Sequence, residues 1–67
     1  MHKDQRDLII QLCTQAGMEM EDAVTSALTM GSLDAEDFVQ GINRLEGRAA
    51  TVAALISAAK ALATPRN

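Results

Sequence analysis

Among the residues that could do chemistry, the chain offers one thiol, Cys13, and one imidazole, His2. A cysteine becomes a nucleophile when a base activates it and a third group orients that base, and no histidine follows Cys13 in the sequence. His2 lies near the N-terminus, and Cys13 falls on the apolar side of a helical pattern, where a free thiol behaves as a small hydrophobe. No catalytic residue is expected, and an enzyme is the least favoured class. The same two residues are the only soft metal ligands, too few for a zinc site within one chain, and a lone cysteine excludes an intrachain disulfide.

Two acidic clusters, Glu19-Glu21-Asp22 and Asp34-Glu36-Asp37, have the chemistry to hold a divalent cation. They lack the loop spacing and bend glycine of a calcium loop. Both read better as acidic first turns, where carboxylates face the positive end of a helix dipole. No metal and no cofactor is therefore expected. Arg44 and Arg48 lie four apart on one helical face; they are either a solvated stripe or contacts for an acidic partner, as guanidinium groups pair with carboxylates in planar, two-pronged fashion. Met18, Met20 and Met30 surround the second helical segment, and Met20 joins Arg44 and Arg48 as a candidate partner contact, although core packing is the plainer role for methionine.

The elements that position these residues are helical. Gly17 and Gly31 punctuate three apolar periodicities. Asp4 is placed to cap a first helix, about residues 5–16, with Leu8, Ile9, Leu12, Cys13 and Ala16 at helical spacing before Gly17. A second, about 19–30, carries Ala23, Val24, Ala27 and Leu28 on one face and stops at Gly31. The third is the strongest. Asp34 is a good N-cap, Leu33 and Phe38 occupy the positions of a hydrophobic staple, and the pattern runs to Pro65, which disfavours helix at Thr64. This predicts a long helix over about 35–63.

Phe38, Ile42, Leu45, Ala49, Val52, Ile56, Ala59 and Ala63 recur along that helix at alternating steps of four and three. That is a heptad seam, with Ile42, Ala49, Ile56 and Ala63 at position a and Phe38, Leu45, Val52 and Ala59 at d. Leu55 and Leu62 at g, with Val39 and Ala53 at e, widen the stripe beyond what a two-stranded zipper needs and favour a bundle. Gly41 and Gly47 each weaken the helix by about 1 kcal/mol relative to alanine. A break near Gly47 is the alternative, but the seam keeps its phase across it. The expected self-association interface comprises Phe38, Ile42, Leu45, Ala49, Val52, Leu55, Ile56, Ala59 and Leu62, with the long helices paired antiparallel and the shorter ones along their flanks.

Size points to the same need. A chain of 67 residues is at the edge of what one hydrophobic core can stabilise, and although 48% of residues are hydrophobic, twelve are alanines and Phe38 is the one aromatic. With no disulfide or metal available, the expected remedy is a homodimer or higher helical assembly of one all-α domain. A formal charge of −3 and a pI near 4.8 work against nucleic acid, whose phosphates are held by Lys and Arg. The segments flanking Gly17 have the outline of a helix-turn-helix, but the second would bring Glu19, Glu21 and Asp22 against a DNA backbone.

The N-terminal residues carry charges of both signs before a brief apolar patch, and the weakly polar stretch 49–63 is short and contains Lys60. Neither a secretory signal nor a membrane span is expected, and the sequence reads as cytoplasmic. The function expected is that of a non-enzymatic interaction module, a homodimeric small regulator (adaptor, inhibitor or antiactivator) that binds another protein. Small acidic helical proteins of phages and mobile elements often act in this way. The alternatives are a small DNA-binding transcriptional regulator and a structural subunit of a larger complex.

Overall fold

In a computed structural model, which describes residues 2–64, the chain forms a hairpin of two long helices, α1 (Lys3–Thr29) and α2 (Ala35–Ala63), joined by a single 3-10 turn at Met30–Ser32. The all-α expectation and the long third helix hold, but the two short helices over 5–16 and 19–30 are one continuous helix of 27 residues. Gly17 does not interrupt it, and no described residue has a positive φ. Helices of about twelve residues are marginal alone, whereas a continuous α1 can run the length of α2 and pair with it throughout. That pairing outweighs the roughly 1 kcal/mol a mid-helix glycine costs.

The start of α1 also differs from expectation. His2, not Asp4, holds the N-cap position and makes no side-chain capping bond, while Asp4 lies within the first turn, where its charge suits the exposed N–H groups. At the other end, Gly31 lies in the connection without a left-handed conformation. The helix is closed there by short-range bonds instead: the Thr29 hydroxyl donates to the Ser26 carbonyl at 3.0 Å, the Ser32 hydroxyl to the Thr29 carbonyl at 2.9 Å, and the Leu33 N–H to the Met30 carbonyl at 3.1 Å. These occupy carbonyls that a helix end leaves without partners.

The start of α2 is as the sequence predicts. Asp34 is the N-cap, extended at φ −73° and ψ 174°, and its Oδ1 accepts from the Asp37 N–H at 2.9 Å, with Glu36 and Asp37 in the first turn. α2 continues unbroken through Gly41 and Gly47 to Ala63, with Thr64 in extended conformation at its end. Pro65, invoked above as the stop, lies outside the described residues.

The helices meet along complementary seams. On α1 the residues withdrawn from solvent are Gln5, Ile9, Leu12, Ala16, Gly17, Glu19 and Ala23; on α2 they are Gly41, Leu45, Arg48, Val52, Leu55, Ala59 and Leu62. Apart from Gly17, each set advances by alternating steps of four and three, the signature of helices paired at a small crossing angle. At the tip, buried Met30 packs over Gly41, where an added Cβ would stand 3.2 Å from the Met30 methyl. At the open end the Gln5 side-chain amide donates to the Leu62 carbonyl, tying the first turn of α1 to the last turn of α2.

The molecule measures 51 × 19 × 10 Å, two helices wide and one thick. Among the described residues only Ala16, Met30 and Ala59 are buried, and no large side chain is fully enclosed. The radius of gyration, 15.7 Å, exceeds the roughly 11 Å of a compact domain of this length. A hairpin of this kind has a seam but no second layer. No helix of the described residues is long and apolar enough to cross a membrane.

Candidate interaction surface

α2 turns its heptad differently from the sequence assignment. Leu45, Val52 and Ala59, at d, face α1 together with the g positions Gly41, Arg48, Leu55 and Leu62, whereas the a positions Ile42, Ala49, Ile56 and Ala63 are exposed. The physical reason is that α1 supplies an in-chain partner whose own seam selects the d/g side of α2. Of the nine residues expected at a self-association interface, Leu45, Val52, Leu55, Ala59 and Leu62 thus serve the hairpin, and Phe38, Ile42, Ala49 and Ile56 are available outside it. Ile42 is 48% exposed and Ile56 46%.

Three of these, Ile42, Ala49 and Ile56, line one side. Along α2 the flank next to the seam carries Val39, Ile42, Ala49, Ala53, Ile56 and Ala63, with Glu46 and Lys60 at the same register. Along α1 the equivalent flank begins at Arg6 and continues through Ile10, Cys13, Gly17, Met20, Val24 and Ala27. In an antiparallel pair the equivalent flanks of the two helices fall on the same side of the hairpin. The side chains agree, since Met20, Ala23 and Val24 of α1 border one mainly apolar groove with Leu45, Ala49 and Val52 of α2 and the stem of Arg48. Val24 is 59% exposed within it. Cys13 belongs to this flank and is exposed, as a small apolar residue among others.

The opposite side is mixed, with Leu8 exposed two heptads before Asp22 and Leu33 exposed near the tip. There a cleft near the tip is lined by Ser26, Thr29, Met30, Leu33, Gly41 and Arg44. Arg48 reaches out of the helix-helix seam on this side, its guanidinium 3.3 Å from Asp22 and 3.9 Å from Glu19. The account of Glu19, Glu21 and Asp22 as an acidic first turn is therefore corrected: they lie in the middle of α1, and Glu19 and Asp22 are partners of Arg48 instead. Arg48 lays its aliphatic stem in the seam and its charge at the rim, as long basic side chains do. The two arginines consequently part company. Arg48 is engaged within the chain, and Arg44 stands exposed beside the cleft, without an ion pair among the described residues. Met20, the third candidate contact, is on the apolar side.

The helix-turn-helix outline around Gly17 is absent, since no turn forms there. Among the described residues no group of three or more His, Cys, Asp or Glu side chains is placed to hold a metal ion. The α1 flank is what the sequence reading missed. Its signal was the alternating three- and four-residue spacing of Ile10, Cys13, Gly17, Met20, Val24 and Ala27, which continues through the glycine expected to end a helix. Compared with known protein families, curated proteins and solved structures, the chain matches none.

Proposed function

We propose that this protein is a non-enzymatic interaction module that works as a homodimeric helical bundle in the cytoplasm and modulates another protein by binding it, as an adaptor, inhibitor or antiactivator. The observation that carries the reading is the apolar flank running along both helices on one side of a hairpin that has no second layer. Exposed apolar surface of that continuity is the mark of an interaction site. Its occupation by a second hairpin would give a four-helix bundle, in which residues facing inward form the missing core.

The target protein is then met by the opposite side, where Arg44, without an ion pair among the described residues, offers its guanidinium beside the Ser26, Thr29 and Leu33 cleft, suited to an acidic segment. Concentration-dependent melting tests the assembly. A hairpin stabilised by its second copy gains Tm as protein concentration rises, whereas a self-sufficient monomer melts at one temperature throughout. For the target, Arg44→Glu is expected to leave the fold and the assembly intact while removing the partner that wild-type protein captures from its host. Retention of that partner by the variant would exclude the Arg44 side.

A further inference from the structure

Resting on the homodimer reading, we infer that the occupant of the apolar flank is a second copy of this chain laid with its tip over the open end of the first. Two observations select a second copy in this arrangement. The first is area. The chain exposes 5357 Å², against about 4,100 Å² for a compact protein of its mass. The excess, on the order of 1,000 Å², is what one partner contributes to a standard interface, roughly 800 Å². A face that pairs with its own copy suits a two-fold pair, in which each copy presents the same patch.

The second is charge. The tip half of the hairpin, residues 17–48, carries seven carboxylates (Glu19, Glu21, Asp22, Asp34, Glu36, Asp37 and Glu46) against Arg44 and Arg48, a net −5. The open half, residues 2–16 and 49–64, carries Lys3, Arg6 and Lys60 against Asp4 and Asp7, a net +1. Of the tip carboxylates only Glu46, seven residues before Ala53, lies on the flank by register, but stacking the flanks with both tips together still gathers the two acidic tips at one end and Arg6 and Lys60 of both copies at the other. Turning one copy end for end brings Arg6 and Lys60 toward the partner's tip. Both belong to the apolar side by helical register: Arg6 lies seven residues before Cys13 and Lys60 seven after Ala53. Neighbouring helices run antiparallel in either stack, so apolar packing alone does not choose between them. Electrostatics does, because like charges placed opposite one another disfavour the wrong pairing.

The test places a spin label at the tip, on Ser32→Cys in a Cys13→Ser background of the full chain, and measures the distance between the two labels of the assembly. At 1.5 Å per residue, α2 spans about 43 Å. The arrangement predicts tip labels about 40 Å or more apart, and the same for labels at the open end on His2→Cys. Distances under about 20 Å at both sites overturn the end-for-end pairing while leaving the homodimer standing. A monomer overturns both. Cys13→Ser is itself checked against wild type by sedimentation, since a changed mass would show that the thiol site had altered the assembly, in which case the background is Cys13→Ala.

Discussion

Replacing Ile56 by aspartate separates the surface proposed for self-association from the hairpin that carries it. Ile56 is 46% exposed within the single chain, so a little under half of its burial remains to be gained from a partner. Full burial of an isoleucine side chain contributes about 1.5–3 kcal/mol. The unrealised part is therefore about 1 kcal/mol per chain and about 2 kcal/mol for a symmetric pair. A carboxylate at the same place would also have to leave water at two positions without a partner, which adds a few kcal/mol more. Even 3 kcal/mol in all raises the dissociation constant more than 100-fold, because 1.4 kcal/mol is a factor of ten.

The assay is light scattering on a dilution series of wild type, Ile56→Asp and Ile56→Ala. Far-ultraviolet circular dichroism is recorded on each sample, so that loss of assembly is not confused with loss of helix. Ser57→Asp, one residue along on the exposed outer face of α2, is the control and is expected to assemble as wild type does. Equal dissociation constants for Ile56→Asp and Ser57→Asp would refute the reasoning.

Three further substitutions probe the hairpin itself. Gly17→Ala is expected to stabilise the fold by about 1 kcal/mol, because α1 is helical there and an added Cβ meets nothing within 4 Å; urea unfolding reads the sign, and destabilisation would point to a turn at Gly17. Asp34→Ala removes the bond to the Asp37 N–H and should cost about 0.5–2 kcal/mol, seen as a lower unfolding midpoint; an unchanged midpoint would show that the cap is dispensable. Arg48→Met keeps a long stem in the seam and is expected to change stability by no more than about 1 kcal/mol, as partly exposed ion pairs contribute little, whereas Arg48→Ala should cost more through lost packing. If Arg48→Met is the more damaging of the two, the ion pairs with Glu19 and Asp22 matter more than the stem.

Much of α2 was legible because its local signals agree. Asp34, the acidic turn after it and the unbroken step pattern to Ala63 all specify the same helix, and capping and periodicity are properties of the local sequence. α1 was misread at Gly17 because a glycine has two meanings. It ends a helix when the backbone turns left-handed, and it is merely tolerated when tertiary pairing holds the helix together. The choice was made by α2, more than thirty residues away in sequence for much of α1.

The candidate surface shows the same division. That α2 is apolar over a wide arc was readable from Leu55 and Leu62 beside the a/d stripe. Which part of the arc would serve the hairpin depended on the seam of α1, with Ile9, Leu12, Ala16 and Ala23 opposite Leu45, Val52 and Leu55. Once those are paired, Ile42, Ala49 and Ile56 are left facing outward. The link between Arg48 and the acids of α1 was also hidden, since Glu19 and Asp22 resemble a first turn as long as a helix is taken to begin beside them.

The central claim is that this hairpin completes its core with a second copy of itself, and sedimentation equilibrium of the full chain over a range of micromolar concentrations tests it most directly. The expected result is a species of twice the 7.1 kDa chain mass that dissociates on dilution. A 7.1 kDa monomer that stays folded and melts cooperatively at every concentration would contradict it.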